Sequence, residues 1–152
     1  MQQAEYEPRS PSYRDLLRAY ERARQTWEHD PSPRTFAVLQ TGIEILYREL
    51  EKPGKAELGQ VLMTPGANEA LLAADHVPPE FLLRHKHGDW GDLCAEDRRE
   101  NERSLRVGSR LLSSYRTRTN EKLWIITEWD RRCAASPVVG SLPQAARSGG
   151  TI

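Results

Sequence analysis

FLLRHKHGDWGDLCAEDRRENERSLRVGSRLLSSYRTRTNEKLWIITEWD, residues 81 to 130, decides how this chain is read. An apolar helix end, Phe81 to Leu83, runs into a Gly/Asp/Trp turn from His85 to Asp92. Asp92 is placed to cap a charged helix from Leu93 to about Val107, which Gly108 can end. Two strands follow, RLLSSYRT (110–117) and KLWIITE (122–128), joined by a turn at 118–121. In the second strand Leu123, Ile125 and Thr127 share one face, and Trp124, Ile126 and Glu128 the other. Bulk on both faces predicts a central strand.

Upstream, LGQVLMT (58–64) has the composition of a strand. Thr64-Pro65 then reads as N-cap and first position of a short helix with Ala67, Ala70, Leu71 and Ala74 inward. Pro79 opens another short helix. EKPGKAE (51–57) is a polar linker, and two longer helices precede it. Ser12 and Asp15 form a capping pair, after which Tyr13, Leu16, Leu17, Tyr20, Ala23 and Trp27 recur at helical spacing until Asp30-Pro31. Ser32-Pro33 starts the second helix, with Phe36, Leu39, Ile43, Leu46, Tyr47 and Leu50 as its stripe, and Pro53-Gly54 stops it. The short link makes the two an antiparallel hairpin.

The expected fold is therefore α+β. A small antiparallel β-sheet (58–64, 110–117, 122–128 and a weak strand within 134–139) packs with helices in a core domain over 55–140. A helical hairpin over 12–53 precedes it, and a polar lead-in (1–11) and a tail (141–152) are expected to be disordered.

A length of 152 residues suits one domain with an appendage and can bury roughly 70% of the unfolded surface. Lysine plus arginine and aspartate plus glutamate both number 22, so the chain lacks the basic surplus of a general nucleic-acid binder. Cys94 and Cys133 stand alone and form no disulfide framework. MQQAEYEPRSPS has no apolar core for a secretory signal, and no run approaches the ~18 apolar residues of a membrane span. A cytoplasmic protein is expected.

His85, His87, Asp89 and Asp92 form H-x-H-x-D-x-x-D, residue types that bind zinc or manganese and supply a general base. The same segment also makes sense as a tight turn. Its glycines can take positive φ, its aspartates can bond nearby amides, and its indole can pin the turn to the core. Trp90 is then structural, with His87 and Asp89 facing solvent. His87, Asp89, Trp90 and Asp92, with Glu128, Asp130 and Arg131 at the end of the second strand, form a candidate binding surface. The charged helix could meet nucleic acid through Arg98, Arg99, Arg103 and Arg106, but Glu96, Glu100 and Glu102 interrupt any basic stripe. No phosphate-binding loop, dinucleotide loop or nucleophile elbow occurs, so no cofactor is expected.

GQVLMTPGANEAL, FLLRHKHGDWGDL and EDRRENERSLRVGSRLLSSYRTRTNEKLWIITEWDR together resemble a group of short bacterial proteins of plasmids and other mobile elements. These often carry the label of subunit M of a type I restriction endonuclease. The resemblance covers about residues 58 to 132, and the H-x-x-GDWG turn and the W-I-I-T-E-x-D-R strand end carry it. A DNA-adenine methyltransferase needs a Gly-rich cofactor loop and an N-P-P-Y/F-type motif, and this sequence has neither. The resemblance thus implies a non-catalytic accessory of a mobile element or restriction system, with a protein partner. A small metal-dependent nuclease using the His85–Asp92 turn is the competing expectation. The chain departs from the family after Arg131, where RCAASPVVGSLPQAARSGGTI replaces a Thr-rich apolar strand and an acidic end.

Overall fold

The computed structural model describes residues 9–128 and the backbone of 138–140. Asp130, Arg131, Cys133 and the expected terminal segments 1–8 and 141–152 lie outside the described residues. The chain divides into two compact units, with the boundary between Glu49 and Leu50.

The first unit is the helical hairpin, α1 (Tyr13–His29) and all but the last two residues of α2 (Pro33–Glu51). The expected capping box forms: Ser12 Oγ accepts from the Asp15 amide, and the Asp15 carboxylate accepts from the Ser12 amide at 3.0 Å. Ser32 Oγ likewise accepts from the Thr35 amide at 3.3 Å. The helices run close at Gly42, where a Cβ would make ordinary van der Waals contact with Tyr20 at 3.7 Å.

The second unit is α+β. It contains β1 (Leu62–Met63), α3 (Pro65–Ala73), α4 (Pro79–Lys86), α5 (Ala95–Val107), β2 (Leu111–Arg116), β3 (Lys122–Thr127) and β4 (Val138–Gly140). The sheet order is β1-β4-β3-β2, so β3 is central as its two bulky faces require. β2 and β4 both pair antiparallel with β3. β1 departs from the expected antiparallel sheet by pairing with β4 in parallel. It is also shorter than the expected 58–64: Leu58 is buried in the core and Gly59 turns at φ +61°, so only Leu62 and Met63 remain in the sheet.

Strand register puts Leu111 opposite Thr127, Ser113 opposite Ile125, and Tyr115 opposite Leu123. All six are buried. Tyr115, Leu123 and Ile125 share one apolar cluster with α3 (Ala67, Ala70, Leu71) and α4 (Phe81, Leu82). Each large side chain there contributes about 1.5–3 kcal/mol of burial free energy. A second cluster joins Ala56, Trp90, Leu93 and Leu111. The β2–β3 turn has Asn120 at φ +65°. Its Arg118 guanidinium donates to the carbonyls of Ala74 and Asp75 at 2.9 and 2.7 Å, holding the turn against the end of α3.

α5 starts two residues later than expected. Cys94, not Asp92, is its N-cap, with Sγ accepting from the Asp97 amide. Its buried residues are the polar Asn101 and Ser104. Gly108 ends it at φ +77°, as the sequence indicated.

Candidate functional site at the turn and the hairpin groove

His85 sits in the last turn of α4 with no exposed surface. Its Nδ1 lies 2.6 Å from Ser113 Oγ, and its Nε2 lies 2.9 Å from Thr127 Oγ1. A hydroxyl can donate or accept, so the two satisfy a neutral imidazole in either tautomer. The Trp90 ring meets the imidazole edge-on at 5.5 Å. A metal ligand needs a ring lone pair facing the ion, and here both ring nitrogens are engaged within the core.

Asp89 is held as firmly. Its carboxylate accepts from Arg84 Nε at 2.8 Å and from the Gly91 amide at 3.2 Å, and its carbonyl accepts from the Tyr115 hydroxyl at 2.6 Å. The Arg84 guanidinium lies 4.5 Å above the Tyr115 ring. One arginine thus binds a carboxylate and an aromatic face together.

The backbone beyond Asp89 docks on β2. Ser114 donates its N–H to the Trp90 carbonyl at 3.1 Å and accepts the Asp92 N–H at 2.7 Å. Gly91 lies between, at φ +68°, where a Cβ would sit 2.0 Å from the Ser114 carbonyl oxygen. One step along β2, the Asn101 side chain from α5 completes the row. Its Oδ1 accepts from the Leu112 amide at 3.1 Å, and its Nδ2 donates to the Leu112 carbonyl at 2.5 Å. Leu112 and Ser114 point their backbone groups away from β3, so the turn and α5 together cover the edge of the sheet. Trp90 is buried, and its indole N–H donates to Glu102 at 3.2 Å. Arg98 donates to the Gly91 and Leu93 carbonyls and closes the turn from the other side.

The four residues of the alternative metal set differ in their surroundings. His85 is sealed in the core, Asp89 is paired with Arg84, and only Asp92 has an exposed side chain. Among the described residues no group of three or more His, Cys, Asp or Glu is placed to hold a metal ion. Trp90 is buried, whereas His87 and Asp89, expected to face solvent, are half-buried. Glu128 directly follows β3 and is half-buried. Its expected companions Asp130 and Arg131 lie outside the described residues, as does Cys133. Cys94 is exposed and in no disulfide among the described residues. The sequence reading passed over Ser113, Asn101, Arg84 and Tyr115. The alternation along β2 was the available signal, since it sets Ser113 on the inward face between Leu111 and Tyr115.

The hairpin offers a different kind of surface. Its buried residues are Tyr20 and Arg24 of α1 and Leu39 and Leu46 of α2. Phe36, Val38, Ile45 and Tyr47 on α2 are exposed. Between the helices runs an apolar groove of about 370 Å³, lined by residues that include Leu16, Ala19, Ala23, Val38, Thr41 and Ile45. Ion pairs on α1 hold the hairpin's charges. Arg24 lies between Glu21, at 2.6 Å, and Glu28, and its bonds to Glu21 raise an already high guanidinium pKa. The Ser12 hydroxyl and Arg18 hold the exposed Asp15 carboxyl at a pKa of about 2.

Among the described residues no helix is long and apolar enough to cross a membrane. No family model, curated protein or solved structure matches this chain.

Proposed function

We propose that the chain is a non-catalytic interaction protein of a plasmid or mobile element, acting in the cytoplasm beside a restriction-modification or defence complex. The observation that supports this most is the pair of exposed branched side chains Val38 and Ile45 beside the apolar groove of the hairpin, with Phe36 and Tyr47 exposed on the other flank of α2. Large apolar side chains left together on a helix surface mark protein contact. The sequence resemblance supplies the setting and the protein class of the partner. A hydrolytic reading has less support, because His85 and Asp89 are bound into the sheet and the turn. Nucleic acid is a weaker partner reading. The arginines of α5 alternate with Glu96, Asp97, Glu100 and Glu102, and Arg103 pairs with Glu100 at 3.1 Å.

Co-expression with the methylation and recognition subunits of a type I restriction system tests the reading. The wild-type chain should co-elute with one of them, and a Val38→Glu/Ile45→Glu variant should not. Absence of co-elution, or its persistence in the variant, would overturn the reading.

A further inference from the structure

We infer that His76 is a proton-operated latch between the β2–β3 turn and the junction of α3 with α4. The turn closes on the neutral imidazole and opens more readily when the ring takes a second proton. His76 lies between the two helices, and its backbone N–H donates to the Leu71 carbonyl at 2.9 Å. Its side chain is only 9% exposed. The ring meets Phe81 edge-on at 4.9 Å, so packing fixes its plane. Nδ1 lies 2.9 Å from Glu80 Oε2. Nε2 accepts the backbone N–H of Arg118, in the turn, at 3.1 Å.

These two partners decide the tautomer. An amide N–H only donates, so Nε2 keeps its lone pair and the ring proton sits on Nδ1, donated to the Glu80 carboxylate. Both nitrogens of the neutral ring are then satisfied. A second proton goes on Nε2, where it faces the Arg118 N–H. The acceptor is lost, and two donors oppose each other 3.1 Å apart.

The response to acid depends on which partners change as the turn opens. Glu80 does not change. It lies four residues from His76, and its Oε2 also accepts the Val77 amide at 2.8 Å, so the carboxylate stays beside the ring with the turn closed or open. Its preference for an imidazolium is common to both states and cancels. Arg118 is what differs. In the closed turn its amide needs the Nε2 lone pair. Its guanidinium, which reaches Glu80 Oε1 at 3.4 Å, adds positive charge to the same cluster. Both effects favour the neutral ring, and both fade when the turn leaves. The remaining charged neighbour, Asp75, is exposed and precedes His76 in the chain, so it too is common to both states. The open turn therefore binds the proton more tightly than the closed one, and by linkage protonation favours opening. The guanidinium bonds to the Ala74 and Asp75 carbonyls oppose release, so protonation raises the population of the open turn without emptying the closed one.

Thr119 and Glu121 of this turn form one wall of a hollow of about 430 Å³, whose other wall is Gly66, Glu69, Ala70 and Ala73 of α3. Release of Arg118 moves that wall and bares the last carbonyls of the α3 end. Proton uptake at one ring thus sets access to this face of the α+β unit.

NMR of the full chain between pH 8 and 5, the range over which imidazoles commonly titrate, tests the latch. At pH 8 the ring-nitrogen shifts of His76 should show Nδ1 protonated and Nε2 unprotonated, and the opposite tautomer overturns the inference. As the ring gains its second proton, exchange of the Arg118 amide, corrected for the intrinsic pH dependence of exchange, should rise about tenfold, as loss of one hydrogen bond predicts. The amides of Leu123 and Ile125 in β3 should stay protected. A ring still neutral at pH 5, an unchanged Arg118 amide, or a rise shared equally by β3 overturns the inference. His76→Phe keeps a ring beside Phe81 and removes both nitrogens. Its Arg118 amide should exchange fast throughout the range, and a pH-dependent rise that persists there assigns the effect to another group and overturns the latch. Should the variant fail to fold, the wild-type tautomer and exchange profile decide.

Discussion

In the α+β unit buried polar groups are tied to distant parts of the fold, while in the hairpin the polar contacts are local and mostly exposed. His85 is bonded to residues 28 and 42 positions away, and Asn101 to a strand 11 positions away. The hairpin bonds Ser12 to Asp15 and Arg24 to Glu21 and Glu28, all within one helical turn. Exposed apolar residues do not follow this division, since Phe36, Val38, Ile45 and Tyr47 are exposed in the hairpin and Val61, Leu62, Leu72 and Val107 in the α+β unit. Long-range bonds specify one tertiary arrangement. Local bonds specify a helix and leave its outer face available to a partner.

The largest expected effect lies in the α+β unit. Gly91→Ala should cost at least about 4 kcal/mol, because it adds a Cβ against the Ser114 carbonyl and strains a positive φ. Gly108→Ala, also at positive φ but with nothing within 4 Å, should cost only about 1 kcal/mol. Urea denaturation of the two variants checks this, and equal costs would mean that the turn does not dock on β2 as described. His85→Leu should cost about 2–3 kcal/mol by leaving the Ser113 and Thr127 hydroxyls buried without their partner. Adding Ser113→Ala and Thr127→Val should recover much of that loss. A triple variant no more stable than the single one would show that packing, not the lost bonds, sets the cost.

The hairpin should respond to acid instead. The Asp15 pKa falls from 3.8 to about 2 on folding, so its contribution is complete above pH 4 and is lost as pH drops through about 2. The carboxyl carbon of Asp15 should titrate near 2 by NMR, and a midpoint near 3.8 would mean that the cap is open in solution. The smallest effect is expected from removing residues 1–43. Leu50 packs on the α3–α4 cluster, and its carbonyl accepts from Lys86 Nζ, so a fragment from Glu44 keeps that contact. Its unfolding midpoint should match the second transition of the whole chain. Loss of cooperativity would show that the two units share one core.

The parts legible in the sequence were those set by neighbours in the chain. Ser12, Ser32 and Thr64 cap helices, and alternation fixes β2 and β3, because caps and strand faces depend on residues one to four apart. The parallel pairing of β1 with β4 was not legible, since it joins segments more than 70 residues apart. Nor was the role of His85. Beside His87, Asp89 and Asp92 it has the pattern of a ligand, and only the register of β2 and β3 places two hydroxyls at its nitrogens. Asp92 looked like a helix cap because its composition allows it, but its amide is drawn to Ser114 and the cap passes to Cys94. The stripe read on α2 joined Phe36 and Tyr47 to Leu39 and Leu46 and left out Val38 and Ile45. In the structure Leu39 and Leu46 are buried, while Phe36, Tyr47, Val38 and Ile45 are exposed.

The turn that covers β2 also governs how the protein would fail. LLSSY (111–115) is an uncharged, apolar-rich run on the outermost strand, shielded at Leu112 by Asn101 and at Ser114 by the Trp90–Asp92 backbone. If that shield loosens while the rest of the sheet persists, the uncovered amides become a template for strands of other molecules. Asn101→Leu, which removes one latch, should therefore form thioflavin-positive aggregates under mild denaturant where the wild type refolds cleanly. An aggregation-free variant would place the barrier elsewhere. Read this way, the GDWG segment acts as a gatekeeper against self-templating polymerisation.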